Sequence, residues 1–238
     1  MTASSGLDER LALLINRPAG QDELLDKFVF HIADSILLKA GVFLAVYCWM
    51  WFQTDEQRDG VRRDIVASLF AAVIIAAAAR ALQLGLPFQQ RPLHELTLGL
   101  NVPLSVNPAT LKTWSSFPSD HAVFLFALSV PMWSWSRWLG AVAFCWALFV
   151  VCLPRIYLGY HYPSDVLAGA ILGIALMVVL RAAMMRTPLP GWIVQWGALH
   201  SRLFCVFAFA FALELATMFQ SARLFGQVAA EYVKRLVA

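Results

Sequence analysis

Six apolar stretches, roughly 36–52, 65–86, 122–135, 139–153, 166–180 and 203–219, follow one another along the chain, separated mostly by short charged connections. Each approaches the ~20 residues that cross a hydrocarbon core, the third and fourth needing help from flanking residues. Lipid offers no partner for an unpaired backbone N–H or C=O, so such stretches are expected to be helices. The composition agrees: 60% of the 238 residues are hydrophobic and 14% charged, against roughly 45–50% and 25% in soluble domains. The expected fold class is all-α, a polytopic membrane bundle of six transmembrane helices forming one domain over residues 1–238, with a motif-bearing core over about 65–182.

Ahead of the first stretch, residues 7–15 and 24–32 mix leucines with charges. They suit amphipathic helices lying flat at the membrane surface, in an interfacial segment of about 1–33 broken at Arg17-Pro18-Ala19-Gly20. The first twenty residues lack a continuous apolar run followed by a small-residue cleavage site, so no cleaved signal peptide is expected. Cys48, Cys145, Cys152 and Cys205 lie in apolar segments without C-x-x-C spacing and read as buried small hydrophobes. A net charge of +3, dispersed along the chain, does not suggest a nucleic-acid partner. The lipid bilayer and a lipid substrate are the expected partners, and nothing in the sequence sets an oligomeric state.

With six crossings, the connection after the second stretch and the connection after the fourth fall on one side. Arg58, Arg62, Arg63, Arg137, Arg181, Arg186 and Arg202 fall on the other, the positive excess of a cytoplasmic side. The first side is therefore expected to face the periplasm or exterior of an inner (plasma) membrane. The connection over 87–118 carries Pro87, Pro92, Pro103 and Pro108 and is too long for a simple turn, so it should form a structured cap.

These two connections hold the polar motifs: Arg91-Pro92, then Ser116-Phe-Pro-Ser-Asp-His121, then Arg155-x5-His161-x3-Asp165. Polar groups at membrane depth usually have a task. Arg91 and Arg155 suit the binding of phosphoryl oxygens, because a guanidinium is planar, permanently charged and bidentate. Pro118 is expected in the first turn of the next helix, with Ser119 offering a hydroxyl donor at its mouth. His121 suits a general acid. Asp120 is expected to cap the helix, since a carboxylate beside phosphate repels it. Asp165, bonded to one nitrogen of His161, would leave the other free to attack phosphorus, although a lone histidine beside an aspartate is more often a structural pair. The spacing does not favour zinc, and no metal or other cofactor is expected.

In order and spacing these motifs resemble the type 2 phosphatidic acid phosphatase family of membrane lipid phosphatases, whose pattern is K-x6-R-P, P-S-G-H and S-R-x5-H-x3-D. The resemblance implies a metal-independent lipid phosphatase in which His161 is the nucleophile forming a phosphohistidine, Asp165 orients it, and His121 protonates the leaving group. Arg91, Arg155 and Ser119 would hold the phosphoryl oxygens. Three positions depart from the pattern: Leu84 stands where the family has lysine, Asp120 where it has glycine, and Pro154 where it has serine. Arg80, Gln89 and Gln90 are candidates to compensate for Leu84. The Ser-Phe-Pro-Ser-Asp-His run resembles the undecaprenyl-diphosphatase branch, which implies a polyprenyl diphosphate substrate. Two other functions stay open: a phosphotransferase using the same intermediate, and a phospholipid-binding or transport protein, for which Glu214 in the sixth stretch is the main cue. His31, His94 and His200 carry no assigned role.

Overall fold

The structure, a computed structural model, describes residues 5–53, 58–220 and 232. Those residues form helices and connections without strands. In chain order the helices are α1 (Ser5–Asn16), α2 (Glu23–Asp34), α3 (Val42–Trp51), α4 (Arg58–Gly85), α5 (Asp120–Trp135), α6 (Arg137–Trp146), α7 (Leu153–Tyr157), α8 (Pro163–Met185), α9 (Leu189–Leu199) and α10 (Ser201–Ala216). The π-helical turns Leu37–Gly41 and Ala147–Cys152 lead into α3 and α7.

Among the described residues, three helices are long and apolar enough to cross a membrane: Arg58–Gly85, Arg137–Tyr157 and Pro163–Met185. A fourth is possible if Glu23–Asp34 and Leu37–Trp51, bent by 56° at their junction, act as one broken span. The helices over the third and sixth apolar stretches, α5 and α10, have 16 residues each. At 1.5 Å per residue that is ~24 Å, short of a ~30 Å hydrocarbon core without their flanking residues.

α5 is the central helix, packed against α4, α6 and α8. Small residues set its approach to α8. A Cβ on Gly173 would lie 2.0 Å from the Val123 carbonyl oxygen, and one on Gly169 would lie 2.8 Å from that of Ser119. The Gly169-x3-Gly173 spacing therefore lets backbone meet backbone, as small-x3-small pairs do in membrane helices. The close approach brings the start of α5 beside the start of α8, so the second and third motifs share one end of the bundle.

The two N-terminal segments, expected as amphipathic helices, are helical as α1 and α2. Both pack on protein, α1 against α7 and α8 and α2 against α7. The reason is polar. Asn16 and Asp26 are buried on these helices and need partners. Asn16 exchanges hydrogen bonds with the Asn101 backbone and donates to the Tyr157 carbonyl at 2.8 Å. Asp26 accepts from the Tyr157 hydroxyl at 2.5 Å and from the Gly20 and Leu104 amides. The helical hairpin is thereby clamped to the cap and to α7. Of the cysteines, Cys152 is buried as expected, whereas Cys48, Cys145 and Cys205 lie on the outer surface of the bundle.

Candidate active site

The cap over 87–118 is structured by two 3-10 turns, Pro92–His94 and Leu96–Leu98. Pro92 excludes the helical region for the residue before it, and Arg91 is extended (φ −76°, ψ 149°). The Leu93 amide then donates to the Gly159 carbonyl at 2.9 Å. Gly159 has φ +71°, and a Cβ there would lie 3.1 Å from the Leu93 nitrogen, so glycine lets the cap seat on the α7–α8 connection. The Arg91 guanidinium donates to three backbone carbonyls, those of Trp114 (3.0 Å), Ser115 (3.0 Å) and Tyr160 (2.6 Å). Its NH1 also lies 3.4 Å from His161 Nε2.

Arg155 follows Pro154 in the first turn of α7. Inside a helix the proline ring would crowd the carbonyl four residues back, and the wide π-helical turn of Ala147–Cys152 accommodates it. Arg155 NH2 lies 2.8 Å from His121 Nε2, while its buried Nε has no hydrogen-bond partner. That nitrogen keeps an unsatisfied donor on a charged group beside the histidine.

The structure assigns Asp120 a different role from helix capping. The N-cap of α5 is Ser119, whose Oγ accepts from the Ala122 amide at 3.4 Å, and the helix begins at Asp120 instead of at Pro118. The Asp120 carboxylate accepts from His121 Nδ1 at 2.8 Å. A proton on Nδ1 directed at Asp120 leaves Nε2 as the nitrogen that faces Arg155.

His161 is oriented by a partner that the motif did not reveal. Its Nδ1 donates to the Ser116 carbonyl at 2.8 Å, leaving Nε2 directed toward Arg91. Asp165 Oδ2 is 3.8 Å from the same nitrogen, close enough for charge but not for a hydrogen bond. That oxygen instead accepts from the Tyr162 amide at 2.8 Å, capping α8, which starts at Pro163. Burial, with the Arg91 charge adding to it, holds the His161 imidazole below its ordinary value near 6.5 even though Asp165 pulls the other way. Burial also lowers Arg91 to about 10, which leaves it cationic at neutral pH.

Arg91, Arg155, His121, His161 and Asp120 line one cavity of about 530 Å3, together with Lys39 and Asp34 from the bend after α2. Ser119 and Asp165, both wholly buried, stand behind its wall. Of the residues considered as replacements for lysine at position 84, none lines this cavity. Arg80 donates to Gln83 and stacks on Trp114, Gln89 reaches Asp165 at 3.4 Å, and Gln90 bonds the His94 carbonyl. Leu84 itself is 72% exposed. His94 donates within the cap to Thr110, and Glu214 is not among the cavity-lining residues. Among the described residues no group of three or more His, Cys, Asp or Glu side chains is arranged to hold a metal ion.

Residues 86–188 match the PAP2 superfamily model. The chain is 40% identical over 163 residues to the bacitracin transport permease protein BcrC of Bacillus licheniformis, covering 67% of this chain and 72% of that protein. It is 26% identical over 160 residues to the undecaprenyl-diphosphatase BcrC of Bacillus subtilis, covering 64% and 72%. The crystal structure of Aquifex aeolicus LpxE shares the fold, with a TM-score of 0.50 and 24% identity over 72% of this chain and 92% of that one. Helices able to cross a membrane, joined by connections that gather histidines and arginines in one cavity, thus define a membrane phosphoric-ester hydrolase. The chain belongs to the PAP2 superfamily.

Proposed function

We propose that the protein is a metal-independent lipid phosphatase that hydrolyses a phospho- or diphospholipid through a phosphohistidine, with undecaprenyl diphosphate as the favoured substrate. One observation carries this reading: His121 and His161, from separate connections, line one cavity with two arginines whose hydrogen-bond acceptors are carbonyls and imidazoles, not carboxylates. A phosphoryl group would complete the pairing of both guanidinium groups.

In the first step the His161 Nε2 lone pair forms a bond to phosphorus as the bond from phosphorus to the leaving oxygen breaks. Nδ1 keeps its proton on the Ser116 carbonyl, and Asp165 offsets the positive charge that develops on the ring. Arg155 turns from His121 Nε2 to the phosphoryl oxygens, the freed Nε2 takes up a proton from solvent, and the imidazolium so formed, steadied by Asp120, gives that proton to the leaving oxygen. Water then attacks phosphorus, His121 takes its proton, and the N–P bond breaks to release inorganic phosphate. Arg91 and Arg155 stabilise the equatorial oxygens throughout, and Ser119 serves by fixing the start of α5. The relative named as an undecaprenyl-diphosphatase supports the choice of lipid.

The proposed setting is a single domain over residues 1–238, crossing an inner membrane six times with the cavity facing the periplasm or exterior. The end of α10 and the start of the Leu37–Gly41 turn line the same cavity as the two polar connections, as alternating crossings require. Phosphate release by purified protein, measured with chelator present on a panel of polyprenyl diphosphate, phosphatidylglycerophosphate, phosphatidic acid and lipid A, tests the reading. Release from the diphosphate that ends with His161→Ala is expected; undiminished release from that variant overturns it.

A further inference from the structure

The cavity holds a third cation that none of the motifs contains. Lys39 lies in the π-helical turn Leu37–Gly41, just past the 56° bend that follows α2. The wide turn frees the Leu38 carbonyl, which accepts from the Trp146 indole at 2.8 Å and so pins the turn against α6. The same turn packs on the second π-helical turn, the one that leads into Arg155. Lys39 is thereby held at the cavity wall, within electrostatic range of Arg155, Asp34 and Asp120. Among the described residues its ammonium makes no hydrogen bond and no ion pair, and the Asp120 carboxylate is bonded to His121 instead.

We propose that Lys39 binds the second phosphate of a diphosphate headgroup and makes the site selective for diphospholipids over monophospholipids. This rests on the phosphatase reading above. Two guanidinium groups match the charge and oxygens of one phosphoryl group, the one attacked by His161. A diphosphate brings a further ionised phosphate that stays attached to the lipid as the leaving group. Buried in this cavity, that charge needs its own cation. Lys39 and Arg155 carry like charges that oppose each other until an anion lies between them. A monophosphate ester has no group to place there, so it gains nothing from Lys39.

The test uses the full chain in detergent with geranylgeranyl diphosphate and geranylgeranyl phosphate, which share a tail. Lys39→Gln is expected to lower the diphosphate-to-monophosphate ratio of kcat/KM by about tenfold, mostly through KM, with Lys39→Arg recovering it. A ratio that stays within about twofold of wild type overturns the proposal, whether or not both activities fall together. Wild-type protein that releases phosphate from neither lipid overturns the phosphatase reading itself. A second measurement needs no variant. Acylation of Lys39 in the wild-type protein, followed by mass spectrometry, is expected to be slowed by methylenediphosphonate far more than by inorganic phosphate, and equal protection by the two also overturns the proposal.

Discussion

The two ends of the bundle hold arginines in opposite ways. At the end away from the cavity Arg181 meets the Asp64 carboxylate through two bonds, 2.5 and 2.8 Å, and adds the Ser134 hydroxyl, tying α8 to α4 and α5. At the cavity end Arg91 and Arg155 have carbonyl and imidazole partners, so their positive charge is not neutralised by a hydrogen-bonded carboxylate. A guanidinium closed on a carboxylate is a brace. One held by neutral acceptors is fixed in place yet still attracts an anion. Under the proposed function the same residue type serves stability at one end and binding at the other, and its partner decides which.

The largest effect is expected at His161. Replacing it with Ala should lower phosphate release by at least roughly a thousandfold while detergent-solubilised protein keeps its thermal unfolding midpoint within a few degrees. The arginines test the comparison directly. Arg91→Ala and Arg155→Ala should each cost roughly a hundredfold or more in kcat. Arg181→Ala should leave the kcat of folded protein near wild type but lower stability by about 1–2 kcal/mol, since its partly buried partner loses its cation. Equal activity losses at both ends would erase the distinction drawn here.

Asp120→Asn is expected to reduce kcat about tenfold, because a neutral amide no longer favours the imidazolium of His121. The pH dependence follows from His161. Its lowered value means the attacking lone pair is free down to below 6.5, so the acid limb of kcat/KM should lie under that pH. Stability carries the matching sign: the unfolded chain takes up this proton first as pH falls through its ordinary value near 6.5, so the folded state loses stability toward acid. An acid limb above 7 would contradict both. The smallest effect should come from restoring the family lysine. Leu84 faces outward, so Leu84→Lys is expected to change kcat/KM by less than about twofold.

Much of the site was legible in the sequence because its parts sit in short, ordered motifs. Arg91, Arg155, His121 and His161 were all singled out, and all line the cavity. What escaped was whatever is distant in sequence or carried by backbone. The Ser116 carbonyl that orients His161 leaves no mark in residue type. Asp120 looked like a helix cap because capping and imidazole binding use the same carboxylate, and only the side chain's direction separates them. Lys39 lies 116 residues before Arg155. Asn16 and Asp26 belong to no motif, and burial against the cap and Tyr157 gives them their role.

The all-helical character and the chemistry of the polar groups were determined by sequence alone, through local causes: apolar length fixes helices in lipid, and residue type fixes charge, acidity and donor count. Which imidazole nitrogen is exposed, which carboxylate serves which histidine, and which cations share the cavity were decided by tertiary structure. Those depend on distances of 3–4 Å between segments far apart in the chain, set by Gly169 and Gly173 letting α5 meet α8 and by the N-terminal clamp on the cap. Such distances are a property of packing, and no local stretch of sequence contains them.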